Sequence, residues 1–248
     1  MPNEGLERLL SLEPRARVLH LGCGAGRQTI ELALRGYRVL GLDDAEASLT
    51  EARQAAKSQR LNIHFLKSEL TQIPYRDEFD AVVCLAGAFG RLIKERDDER
   101  ALISARKALK PGGMFLLDLP NKERLMRHFE PTAWEQSGEG RGDVALDKAS
   151  YNLETGRLET QRTLVGKDGG RKAVFLSERV YTLTEIKTLL AAAGLSYRQC
   201  WGDFDAGPYG MDSRRMIVLA HRPAERPRKA KGEELVSALR IKGRRKGR

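Results

Sequence analysis

The sequence predicts an α/β fold, a seven-stranded and mostly parallel sheet with helices on both faces and an antiparallel β insertion. Three observations carry this expectation. From residue 17 to residue 120, apolar runs of four to seven residues alternate with helix-patterned segments, the rhythm of β-α-β units. A glycine-rich turn, Gly22-Cys23-Gly24-Ala25-Gly26, joins the first apolar run to the helical segment that follows. From about Asn121 to Tyr181 the rhythm gives way to short alternating runs broken by turn clusters, which read as hairpins.

Composition agrees with a packed domain. The chain has 248 residues, 41% of them hydrophobic, enough for one α/β domain with an insertion or a tail. No apolar run approaches the roughly 18 residues a bilayer span needs, and the charged start is no signal peptide, so a soluble, cytoplasmic protein is expected. Cys23, Cys84 and Cys200 are an odd, scattered set that suggests neither disulfides nor a metal site. The net charge of +10 is local. Residues 222–248 hold eleven Lys or Arg against three Glu, leaving only about +2 for the rest of the chain.

The elements follow in order. Residues 4–11, with Leu6, Leu9 and Leu10 on one side, form a short amphipathic helix. Val18 to Leu21 is the first strand, Gln28 to Arg35 the helix after the turn, and Tyr37 to Leu42 the second strand, ending on Asp43. Ala45 to Lys57 is the next helix, with Asp44 as its cap. Leu61 to Lys67 is a third strand running into Ser68-Glu69-Leu70. Phe79 to Leu85 is nearly continuous in apolar residues, as a strand buried on both faces should be. A helix from Asp97 to Lys110 stops at Pro111-Gly112-Gly113, and Met114 to Leu119 is the fifth strand. In the insertion, Val144 to Leu153, Arg157 to Val165 and Arg171 to Tyr181 pair as antiparallel strands. Thr184 to Ala193 is a last helix, capped at Thr182 or Thr184 and ended by Gly194; Leu195 to Trp201 and Arg214 to Ala220 are the last two strands. This divides the chain into a core of residues 1–120 and 183–222, an inserted lid of 121–182 and a basic tail of 223–248.

In an open parallel sheet the ligand lies at the carboxyl ends of the strands, and the glycine turn, Asp43, Glu69 and Leu85-Ala86 all follow such ends. Glycines there let the backbone approach a nucleotide-like ligand, and a carboxylate closing the second strand can accept both hydroxyls of a ribose. The G-x-G-x-G spacing of Gly22, Gly24 and Gly26 resembles motif I of the class I S-adenosylmethionine-dependent methyltransferases. Arg27 stands where the dinucleotide fingerprint has its third glycine, which disfavours a nicotinamide dehydrogenase. His20 is a departure, because that family usually carries an acid there.

The whole succession resembles the small-molecule N-methyltransferase branch with a lid after strand five. The resemblance implies a Rossmann-like sheet in the order 3-2-1-4-5-7-6 and S-adenosyl-L-methionine as cofactor. It also implies cofactor contacts from Gly22, Cys23, Gly24, Gly26, Asp43, Asp44, Glu69, Leu70, Leu85 and Ala86, with Glu69 toward the adenine amino group. Candidate acceptor contacts are Phe89, Asn121, Asp203, Asp205 and Tyr209, with His128 and Trp134 further options; no catalytic residue stands out. The expected reaction is direct in-line methyl transfer to an amine or hydroxyl of a small molecule. Two alternatives remain. One is an RNA methyltransferase anchored by the basic tail, although the fourth-strand loop lacks the Asn/Asp-Pro-Pro-aromatic motif. The other is a cofactor-binding protein without catalysis, a reading that His20 motivates.

Overall fold

The computed structural model describes residues 2–85, 88–92, 94–136 and 143–224. Ala86 and residues 225–248 of the basic tail lie outside the described residues. Helix α1 (Pro2–Leu10) precedes β1 (Arg17–Leu21), α2 (Arg27–Leu34), β2 (Arg38–Asp43), α3 (Glu46–Ser58) and β3 (His64–Lys67). Then come β4 (Phe79–Cys84), α4 (Glu95–Ala108) and β5 (Leu109–Pro120). The insertion contributes α5 (Lys122–Arg127), β6 (Thr132–Gln136), β7 (Val144–Asn152), β8 (Arg157–Val165) and β9 (Arg171–Arg179). Helix α6 (Leu183–Ala192), β10 (Ser196–Trp201) and β11 (Arg215–His221) return to the main sheet.

That sheet has seven strands in the order β3-β2-β1-β4-β5-β11-β10, and only β11 runs antiparallel to its neighbours. The order reverses between β1 and β4, which opens a crevice beyond their carboxyl ends. Side chains alternate across the sheet and build two cores. Val18 and Leu116 pack with Leu6 and Leu9 of α1 and Leu32 of α2 on one face; Leu19 and Leu117 pack with Leu102 of α4 and Ile186 of α6 on the other. Both faces of β4 and β5 are therefore buried, which explains why their sequences read as continuous apolar runs. Beside this sheet, β6-β7-β8-β9 form a four-stranded antiparallel sheet.

Several boundaries differ from the sequence reading for identifiable reasons. The third strand starts at His64 rather than Leu61, because the Leu61 amide is spent on the Ala56 carbonyl at the end of α3. The fifth strand starts at Leu109. Its register slips around Pro111-Gly112-Gly113, where Gly112 and Gly113 bond the backbone of Arg222. Helix α6 has its cap at Thr182, in a full capping box with Glu185. The cap expected of Asp44 is absent. Ala45 is the N-cap residue of α3, and its amide bonds the Asp43 carboxylate instead.

His20 sits in the middle of the sheet, paired with Gly41 and Val83 and 1% exposed. Its Nδ1 lies 2.8 Å from the Thr29 hydroxyl, and its Nε2 has no hydrogen-bond partner. Burial pushes the imidazole down to about 4, against the opposing pull of Asp43. The unfolded chain therefore binds a proton more readily than the folded one. The stability that neutral His20 confers is complete above about pH 6.5 and falls as pH drops toward 4, by on the order of 3 kcal/mol. His20→Asn, which titrates nowhere in this window, should flatten the fall in urea midpoint between pH 7 and pH 5. Leu117→Ala, at a fully buried site, should cost about 2–5 kcal/mol in the same urea unfolding measurement.

Candidate functional site

The turn after β1 is held from the side by β2. The Cys23 amide donates to the Leu42 carbonyl at 3.0 Å, and the amide of Gly26, three residues on, closes back on the Cys23 carbonyl at 3.0 Å. Between them the Gly24 amide donates to Asp43 Oδ2 at 2.8 Å, while Asp43 Oδ1 accepts from the Ala45 amide at 2.9 Å. Asp43 thus fixes the glycine turn and the start of α3 at once. Beyond it opens a cleft of about 680 Å³, lined by Gly22, Gly24, Asp43, Asp44, Glu69 and Leu70 among others. Gly24 has a φ of +52°, and a side chain built on it would meet nothing within 4 Å, so glycine leaves the cleft open where a larger residue would fill it.

Of the residues expected to hold a cofactor, these six are brought together. Three others stand behind the cleft. Cys23 is buried with its thiol against Gly41, and burial pushes that thiol up to about 12. Gly26 allows close packing instead: a Cβ there would lie 2.8 Å from Cβ of Ala52. Leu85 belongs to the core beneath α1. The period-2 pattern of a strand locates its end but not which of its last residues face the ligand.

The acceptor candidates disperse more widely. Phe89 is 2% exposed and packs its ring against Tyr181, as a core residue rather than a pocket wall. Asn121 caps α5 and donates to the carbonyls of Gly210 and Ser213 at 2.9 and 2.8 Å, which commits its amide to the structure. The Tyr209 hydroxyl completes that knot with bonds to Asn121 and Glu123. Asp203 accepts the amides of Asp205 and Gly207 and so shapes its own turn; Asp205 is exposed, 3.9 Å from Arg8 of α1. Trp134 is 71% exposed, on the opposite face of the small sheet from the residues lining the second cavity.

That second cavity, of about 420 Å³, lies between α5 and the small sheet. Pro120, Leu125 and Leu158 give it apolar walls, Arg124 and Arg214 give it cationic ones, and the His128 imidazole lines it too. Asn121 touches it as well. Glu178 of β9 pairs directly with Leu158, placing it on the face that lines this cavity. Its carboxyl is pushed up by burial and pulled back by Arg91, Arg215 and Arg157. Arg91, in turn, lines the cofactor-sized cleft with Leu92 and Lys94. Sequence reasoning missed Arg91, Arg157 and Glu178, since a charged residue in a loop or near a strand end carries no periodic signal.

Comparison with known proteins agrees with this geometry. Residues 18–113, from β1 into the start of β5, match the family described as a methyltransferase domain. YqeM of Bacillus subtilis (strain 168), which carries a provisional methyltransferase name, is 32% identical over 217 residues, covering 86% of each chain. The methyltransferase CcbJ of Streptomyces caelestis superimposes with a TM-score of 0.78 at 20% identity, covering 90% of this chain and 89% of that one. CalS10 of Micromonospora echinaspora, described as an amino pentose methyltransferase and solved with S-adenosylmethionine bound, gives 0.68 at 21% identity and 89% coverage of both chains. A relative this similar over this much of its length, on a fold with this cleft, places the chain in the class I S-adenosylmethionine-dependent methyltransferases.

Proposed function

We infer that the enzyme methylates a small molecule held beneath the small sheet, on an amine or hydroxyl, by direct in-line transfer. The observation that carries this reading is the cleft built on Gly24, Asp43 and Glu69; a second cavity, carrying Arg124 and Arg214, lies between α5 and the small sheet. S-adenosylmethionine supplies a methyl group already activated on a sulfonium. The residues present suit it. Asp43 has spent two of its roughly four acceptor positions on amides, leaving the rest for ribose hydroxyls. Glu69 is exposed in the cleft and suits an adenine amino group, and Leu70 offers the base an apolar wall.

The chain itself need form no covalent bond. Its contribution is to hold two reactants in line and keep water away, worth up to roughly 7–11 kcal/mol when the reacting atoms are well placed. Residues 121–182 act as the lid over the core of 1–120 and 183–222, with 223–248 as an appended basic tail. Arg124, His128 and Arg214 suit an acceptor with a polar or anionic end, and Leu125 and Leu158 suit an apolar body. Glu178, opposite the cavity-lining Leu158 and within the field of Arg91, is our choice for the group that holds the acceptor's nucleophile and takes its proton. The amino pentose named for CalS10 is an acceptor of this size and kind. We place the enzyme in the cytoplasm, in keeping with three free thiols and with no described helix long and apolar enough to cross a membrane.

Calorimetric titration with S-adenosylhomocysteine tests the cofactor site. Micromolar binding is expected for the intact chain, and Asp43→Ala should weaken it about 100-fold through two lost charge-assisted hydrogen bonds. Failure of the intact chain to bind would overturn the reading. Once a screen of small amines and alcohols yields an acceptor, Glu178→Gln should lower kcat by about 100-fold or more and leave S-adenosylhomocysteine affinity unchanged. Equal loss of affinity would instead place Glu178 at the cofactor.

A further inference from the structure

Strand β8 opens on Arg157, and the side chain of that residue leaves its own sheet. Its Nε donates to the Ser177 hydroxyl at 2.7 Å and its Nη2 to the Ser177 carbonyl at 2.9 Å, which fixes the guanidinium against β9. The rest of the fork reaches the main domain. Nη2 donates to the Gly90 carbonyl at 3.3 Å and Nη1 to the Leu92 carbonyl at 3.2 Å. Those two carbonyls flank Arg91. Ala88, Arg91, Leu92 and Lys94, all of the segment between β4 and α4, line the cleft assigned to the cofactor.

A second contact joins the same two places. The Arg179 amide, at the end of β9, donates to the Gly90 carbonyl at 2.8 Å. Gly90 has a φ of +90°, and a Cβ on it would stand 2.5 Å from the Arg179 carbonyl oxygen, so the strand can come this close only to glycine. Deeper in, the Tyr181 hydroxyl donates to the buried Asp98 of α4 at 2.5 Å, and the Phe89 ring lies against Tyr181. The return of the insertion and the wall of the cleft are therefore one hydrogen-bonded body.

We propose that Arg157 is a positioning residue that couples the lid to the cofactor cleft, by holding the Gly90 and Leu92 carbonyls and Ser177 in one planar fork. The proposal rests on the reading of that cleft as the S-adenosylmethionine site. Only a guanidinium serves this geometry, because its donors lie in a rigid plane and reach several acceptors together, whereas a lysine presents a single nitrogen on a flexible stem. Cofactor that orders Arg91 and Leu92 must then steady the lid through this fork, and by reciprocity a steadied lid must tighten the grip on cofactor.

The test uses the full chain, S-adenosylhomocysteine, and the variants Arg157→Lys and Arg157→Ala. Affinity is read by calorimetry, fold and melting temperature by circular dichroism, and lid response by amide hydrogen exchange over residues 157–165 and 171–179. In the unaltered chain the ligand should slow exchange in both lid segments, which do not line the cleft. Arg157→Lys keeps the charge and should melt close to the unaltered protein, yet bind about tenfold more weakly and lose the lid response. Arg157→Ala should show the same two losses at least as strongly. An Arg157→Lys variant that binds with unchanged affinity and keeps the lid response overturns the coupling while leaving the cofactor site intact. Absence of binding in the unaltered chain, matched by Asp43→Ala, overturns the cofactor reading and the coupling with it.

Discussion

The carboxylate of Asp43 ties the glycine turn after β1 to the start of α3, and the cleft depends on that tie. A parallel strand pair normally ends where its two backbones part, and β1 and β2 part just past the Leu21 and Leu42 pairing. Here the ladder runs on. The Cys23 amide finds the Leu42 carbonyl, the Gly24 amide then finds the Asp43 side chain, and the other oxygen of that side chain takes the first free amide of α3. A loop of glycines, with high conformational entropy when free, is thereby fixed in a left-handed course without a bulky residue to hold it. The cleft exists because this turn stands still.

Much of the sheet was legible because parallel strands buried on both faces leave an unmistakable mark. Phe79 to Leu85 and Met114 to Leu119 could hardly be anything else, and the hairpin turns at Thr155-Gly156 and Lys167 to Gly170 declare themselves by composition. Elements that depend on distant partners stayed hidden. Helix α5 is only six residues long and owes its start to Asn121, whose amide is pinned by the carbonyls of Gly210 and Ser213, 89 and 92 positions away. Strand β6 is exposed along its whole length and exists through its pairing with β7.

The candidate site divides along the same line. Residues immediately after a strand, such as Asp43 and Glu69, could be placed because topology alone sends them to the ligand edge. Asp203 and Tyr209 also lie beyond a strand end, but their side chains turn inward to build the loop itself, a choice made by local amides and by Asn121. Residues of the small sheet obey another logic again. Which face of a hairpin looks inward is set by how the small sheet docks, and no local pattern encodes docking when both faces carry charged and apolar residues alike.

The insertion is gripped at both of its roots. Asn121 secures the chain where it leaves β5, and the Gly90 carbonyl secures it where it returns toward α6. Among the described residues, the hairpin tip at Lys167 to Gly170 is braced within its own sheet and by Asp143. The distal hairpins can therefore be lengthened, shortened or rewritten without touching any residue that lines the cleft. Diversification of what is methylated and conservation of how the methyl is delivered become separable events in descent.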